Sequence, residues 1–254
     1  MLIEGDSPVI QKLNGIHEAG TAALRAGSVE PFTGYPESLK NRFGVYFKYT
    51  QPAEQLVRKQ VLDEVTKIGQ DLGIGLFVAG HPVPDGHPIH TTVLEGLCQE
   101  SSPMDREELF DMLSKLGLKT LRGVLFDDFY SSGALLQFKF DTVVVDKVSM
   151  LLAATQIPQQ VIDLRDELSW MYSLKWSSLK PLPLDNLLHM TLTRITKTVH
   201  PSHADEYIER MEALHQKVAE NPLTLQVRTL ARGSAYDLLN DNITPWFGNH
   251  HISN

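Results

Sequence analysis

Apolar and polar positions alternate in "RFGVYFKYT", so that Phe43, Val45, Phe47 and Tyr49 share one face and Tyr46 lies on the other, the pattern of a half-buried strand. In the next segment, Val57, Val61, Val65, Ile68 and Leu72 recur at helical spacing, and Pro52 stands in the first turn, where its missing N–H costs nothing. Pro82, Pro84 and Pro88 break "LFVAGHPVPDGHP" into a turn-rich connection. The β-branched run "IHTTVLEGL" predicts a strand. In "SSPMDREELFDMLSKLG", Ser102 is placed to cap a helix, Pro103 to open it and Gly117 to close it, with Leu109, Met112, Leu113 and Leu116 as its stripe.

"KTLRGVLFDDFY" and "GALLQFKFD" read as a strand pair around Ser131–Gly133. "DTVVVDKVSMLLAATQ" fits strand or helix equally. Then come an amphipathic helix in "IPQQVIDLRDELSWMYSL" and a strand in "LLHMTLTRI". Tyr207, Ile208, Met211, Leu214 and Val218 form the inward stripe of a further helix, with Ser202 as its expected N-cap, and "LTLQVRTLARGS" is a last strand. Strands and helices mix without a strict βαβ rhythm. The expectation is an α+β protein of two pseudo-symmetric lobes, with antiparallel or mixed sheets and outer helices around a central cleft. Residues 1–40 read as an N-terminal arm, 41–240 as one bilobal domain and 241–254 as a C-terminal tail.

The two lobes are expected because the chain echoes itself. Ile89-His90-Thr91-Thr92-Val93 and Leu188-His189-Met190-Thr191-Leu192 both read apolar, His, any residue, Thr, apolar, and both sit on predicted strands. Residues i and i+2 of a strand project to the same face, so His90 pairs with Thr92 and His189 with Thr191. An imidazole exchanges protons near neutrality, and a threonine hydroxyl hydrogen-bonds a phosphate oxygen. Two such dyads across one phosphate supply a base and an acid for phosphodiester cleavage. Two further His-x-Ser matches, at His200 and His251, lie in a turn and in the tail. An accidental echo on an unrelated α+β protein is the competing reading.

Composition narrows the partners. The chain has 254 residues and a net charge of -8, which counts against tight, sequence-independent binding to long duplex nucleic acid. A small nucleotide or an RNA end is compatible with it, since a local cleft can differ in sign from the whole surface. The lone Cys98 excludes a disulfide framework within one chain and fits a reducing compartment. No signal peptide and no apolar run near the roughly 20 residues of a membrane span is read, so a cytoplasmic protein is expected; a monomer is the expected state, though no pattern in the chain fixes it.

His81 and His87, with Asp85, lie beside the first motif, but their spacing matches no metal site; both are expected as surface-loop histidines bordering the cleft, and no metal or cofactor is expected. Tyr46 and Tyr130 are the candidate base-stacking residues, with Phe129 beside the latter. Arg194 falls on the far face from His189 if its strand is regular. Tyr236 is a candidate for closing the cleft, and Asp127 and Asp128 read as solvated turn acids.

On these motifs the chain resembles the 2H phosphoesterase superfamily, which includes 2′-5′ RNA ligase-like proteins and cyclic phosphodiesterases, and whose mark is two His-x-Thr/Ser motifs on strands of related lobes. The resemblance runs from Arg42 to about Ser234 in element order. It implies a metal-independent phosphodiesterase acting on 2′,3′-cyclic or 2′-5′-linked phosphodiesters of nucleotides or RNA ends. His90 and His189 match its catalytic histidines, Thr92 and Thr191 its phosphate-binding hydroxyls. Some relatives bind nucleotides or RNA ends without efficient catalysis, which is the alternative function. The first forty residues and the tail have no counterpart in it.

Overall fold

A computed structural model describes residues 3–34, 42–81, 86–98, 136–175, 179–181, 187–197, 199–234 and 244–248. In chain order its elements are α1 (Pro8–Arg25), β1 (Arg42–Tyr49), α2 (Gln51–Val57), a π turn (Arg58–Leu62), α3 (Asp63–Asp71), β2 (Leu76–Ala79), β3 (Gly86–His87) and β4 (His90–Cys98). They continue as β5 (Gln137–Phe140), β6 (Thr142–Val145), β7 (Ser149–Ala154), α4 (Gln159–Lys175), β8 (Leu179–Pro181), β9 (Leu188–Ile195), α5 (Pro201–Glu220), β10 (Leu223–Ser234) and β11 (Thr244–Gly248).

The fold is α+β, with two sheets whose strand orders are β11-β10-β1-β4-β8, where β5 also pairs with β10, and β3-β2-β9-β7-β6. Within them, β10-β1-β4-β8 and β6-β7-β9-β2 are the same arrangement built twice. β1 and β7 each lead through helical structure to a strand that joins the opposite sheet, β2 and β8 respectively, before the chain returns as β4 or β9. All of these pairings are antiparallel; β2 with β3 is parallel. The two halves therefore exchange strands, and one apolar core, with Val45, Phe47, Val93, Leu152, Met190 and Leu192 among its members, draws on both sheets.

The predicted helical stripes are buried: Val57, Val61, Val65, Ile68 and Leu72 beneath the first sheet's helices, and Tyr207, Ile208, Met211, Leu214 and Val218 on α5. Val57, Val61 and Val65 are four residues apart, which drifts about 40° per step on an ideal helix. The wider π turn between α2 and α3 takes up that drift and keeps all three inward. The ambiguous "DTVVVDKVSMLLAATQ" is a hairpin, β6 with β7, its residues buried on both faces. Such strands lose the alternation that separates strand from helix. The N-cap of α5 is His200, not Ser202: the His200 Nδ1 accepts from the Ser202 N–H at 3.3 Å, and Pro201 opens the helix. The expected helix at residues 102–117 and the strand preceding Ser131–Gly133 lie outside the described residues.

The N-terminal stretch forms an element that hydropathy alone does not announce. Ser7 caps α1 by accepting from the Ile10 N–H, and Pro8 opens it. The helix then covers the free edge of β6. Val143 and Val145 turn their N–H groups outward from the sheet, and two histidines accept them: His215 Nδ1 of α5 from Val143 at 3.2 Å and His17 Nδ1 of α1 from Val145 at 3.3 Å. Edge N–H groups left open invite another strand; here imidazoles close them. Residues 26–34 continue without regular structure, as expected, and in the C-terminal segment β11 pairs with β10.

Candidate active site

β4 and β9 belong to different sheets but run beside each other, with Cα atoms within 8 Å. His90 and Thr92 share one face of β4, opposite Thr91, whose hydroxyl lies 2.6 Å from Tyr49 Oη in the core. His189 and Thr191 share one face of β9, opposite Leu188 and Met190, which are core. The four motif side chains are partly buried rather than sealed. The imidazoles are near enough that a charge on His90 lowers the basicity of His189.

Both motif strands are interrupted at the same place. On β4, Tyr46 faces Thr92 but Val45 faces Leu94, so Val93 is an extra residue. On β9, Leu151 faces Thr191 but Met150 faces Thr193, so Leu192 is extra. Val93 and Leu192 each stand three residues after the motif histidine. A bulge lets consecutive residues point inward and re-aims the side chains beyond it. Past Leu192 it turns Arg194 to the side of His189 and Thr191, which a regular strand would not. The Arg194 charge accordingly acts on His87, His90 and His189. Its guanidinium lies 5.3 Å above the Phe32 ring.

His90 has a defined tautomer. Its Nδ1–H donates to the Pro88 carbonyl at 2.8 Å, which leaves the lone pair on Nε2. His189 Nδ1 is buried without a hydrogen-bond partner. Burial pushes both imidazoles down to about 4, aided at His90 by Arg194 and Lys48 and at His189 chiefly by Arg165. Both rest neutral at pH 7.

His87 is not a surface residue. It is 1% exposed, stacked on Phe77 with ring centroids 5.6 Å apart and set edge-on to His90 at 5.8 Å. Its Nδ1–H also donates to the Pro88 carbonyl, at 3.1 Å, and burial pushes it down to about 3. The short β3 pairing with β2 draws it in. His81 is exposed, as expected. Among the described residues no three His, Cys, Asp or Glu side chains group as metal ligands.

Tyr46 lies on the motif face, away from the main core, edge-on to His90 at 5.6 Å. Its ring folds back over Gly44, where a Cβ would collide with the phenol oxygen, and only 2% of the residue is exposed. That leaves little open ring for a base to stack on and makes Tyr46 a support for the His90 ring. Tyr130, Phe129, Asp127, Asp128 and Tyr236 lie outside the described residues.

Three residues of the neighbourhood escape sequence reasoning. Lys48, two residues after Tyr46 and paired with His90, had its signal in the strand's period of two. Phe32 hydrogen-bonds through its N–H to the Ile195 carbonyl and sits 5.2 Å from Phe77, on an arm without periodicity. Arg165, a cation inside the Val161-Leu164-Leu168 stripe of α4, is 5% exposed. With Arg194, Lys48 and Arg165 acting on its imidazoles, this neighbourhood has a positive character that the overall charge of -8 conceals.

No family model matches the chain, and no curated protein sequence matches it. Among solved structures, that of Kluyveromyces marxianus Usb1 is similar over 77% of this chain and 95% of that chain, with 14% identity and a TM-score of 0.41. A likeness of this depth carries no argument, and the functional reading rests on the residues themselves.

Proposed function

We propose that the chain is a phosphodiesterase of the 2H type, acting on 2′,3′-cyclic or 2′-5′-linked phosphodiesters of nucleotides or RNA ends. The observation that supports this reading is the repeated, bulged motif strand: β4 carries His90 and Thr92 on one face, β9 carries His189 and Thr191 on one face, and the two strands run beside each other in a positive neighbourhood. One neutral imidazole takes the proton of the attacking water or hydroxyl. Its oxygen bonds to phosphorus, the bond from phosphorus to the ribose oxygen breaks, and the other imidazole, protonated at the outset, gives its proton to that oxygen. The Thr92 and Thr191 hydroxyls, with Arg194, hold the phosphate oxygens. Tyr46 steadies His90, and Tyr130 is the remaining candidate for stacking on a base.

The test is hydrolysis of 2′,3′-cyclic nucleotides and 2′-5′-linked dinucleotides. His90→Ala and His189→Ala should each cost about 10²–10⁴-fold in kcat, the usual contribution of one acid or base. A chelator should leave the rate unchanged. Wild-type rates in either variant would contradict the reading.

The low basicity of both imidazoles favours a second reading. At pH 7 the protonated partner that the reaction needs is scarce, which suits a module that binds nucleotides or RNA ends with little turnover. Saturable binding of a nucleoside 2′-monophosphate with no hydrolysis between pH 4 and 8 would select it.

A further inference from the structure

Arg165 is placed where neither motif explains it. Its guanidinium forks between the two motif strands. Nε–H donates to the Val93 carbonyl at 3.0 Å, and Nη2 donates to the Thr92 carbonyl at 3.2 Å and to the Leu187 carbonyl at 2.7 Å. The first two acceptors are the motif threonine of β4 and its bulge residue. The third lies two residues before His189, where the chain enters β9. The bulge at Val93 withdraws that carbonyl from the regular ladder, and a buried carbonyl needs a donor. One planar cation meets this need and ties the two sheets together at the site.

A buried cation with no carboxylate partner among the described residues is costly, and nothing in packing alone asks for one here. Burial lowers even this guanidinium to about 10. A methionine or leucine would continue the α4 stripe at far lower desolvation cost. Its charge acts on one motif histidine more than on the other. After burial it is the largest influence on His189, whereas Arg194 and Lys48 are the cations that act on His90. The two imidazoles thus reach a similar low basicity through different cations.

We propose that Arg165 is the positioning residue of this site: its fork holds the two motif strands at a set separation, and its charge bears on His189 rather than on His90. The kinetic consequence rests on the phosphodiesterase reading; the structural one does not. Among the described residues, the groups whose charge acts on His189 are Arg165 of α4, His90 of β4, Asp146 of the β6–β7 turn and Arg194 of β9 itself.

The experiment tracks imidazole titrations by NMR and hydrolysis kinetics in the full chain, for wild type, Arg165→Gln and Arg165→Lys. Arg165→Gln should raise the His189 midpoint by about one pH unit, as expected when a neighbouring like charge is removed, and move His90 by less than half as much. Its kcat should fall about 100-fold or more with KM within about threefold, because misplaced groups lose rate rather than ground-state binding. Arg165→Lys should return the His189 midpoint toward wild type yet stay about tenfold slow, since an ammonium cannot reproduce the fork.

An unmoved His189 midpoint in folded Arg165→Gln would overturn the proposal. So would wild-type kcat and KM in Arg165→Lys, the variant that decides the matter should Arg165→Gln not fold. A wild-type chain that hydrolyses no substrate while the titrations behave as stated would overturn the phosphodiesterase reading alone.

Discussion

At the scale of residues, protonation decides what the paired histidines can do. The reaction needs one imidazole neutral and one protonated. That state is most populated between the two macroscopic midpoints of the pair. Both midpoints are held below the ordinary 6.5, to about 4, by burial and by the cations around them. The pH profile of kcat/KM, which reports the free protein, should therefore peak below pH 6.5 and fall toward neutrality. A maximum at pH 7 or above would contradict the described surroundings of the imidazoles. The shared face within each dyad was readable from the chain, because a period of two puts a histidine and the threonine two residues after it on one side of a strand. His87 was not. Its burial comes from β3 pairing with β2 and from Phe77, distant choices that no local pattern announces.

At the scale of elements, the features that aim the site are irregularities. Nothing in "HTTVL" or "HMTLT" marks a bulge, so the alternation that correctly paired His189 with Thr191 put Arg194 on the wrong side. Helix α1 escapes the hydrophobic pattern for a related reason. Its cap, Ser7 with Pro8, was present in the chain, but its buried residues, Leu13, His17, Gly20, Thr21 and Leu24, include only two strong hydrophobes. Yet α1 reaches the site's own sheet face. Leu13 packs with Leu151, Ala153 and Leu187, and Ala153 and Leu151 are the strand partners of His189 and Thr191. Close approach at β6 depends on Gly20, where a Cβ would run into the Val145 carbonyl. Gly20→Ala should push α1 off the edge and lower the midpoint of thermal unfolding despite alanine's better helix propensity. Gly15→Ala, with open space around it, should raise stability by about 0.5–1 kcal/mol. Equal shifts in a melting experiment would show that α1 does not seat on β6 as described.

At the scale of the whole molecule, strand exchange between halves makes the site and the core one problem. β2 and β8 cross into each other's sheets, so neither motif strand is fully paired without the other half. The order of the elements that carry their own period was legible; the short β2, β3 and β8 and the exchange they make were not, because they lack a period and their pairing partners lie far apart in the chain. Acid should undo this assembly. His17, His87, His90, His189 and His215 all have their basicity lowered in the folded state, with burial the largest cause at each. The unfolded chain then binds more protons as pH falls below 6.5, so stability present above that value is lost between about pH 6.5 and 4. His17 and His215 add a geometric reason, because a protonated Nδ1 can no longer accept the β6 N–H groups. Thermal unfolding at pH 7.5 and pH 5 should show a clearly lower midpoint at the acid value; equal midpoints would contradict it.

The central claim, that the two dyads act on a single phosphorus centre, is tested most directly by titrating a nucleoside 2′-monophosphate into protein with nitrogen-15-labelled imidazoles. The ring signals of His90 and His189, assigned through their alanine variants, should move together with one midpoint at one ligand per chain. A response from only one of them, or two separate midpoints, would show that the dyads serve different ligands and that they do not form one site.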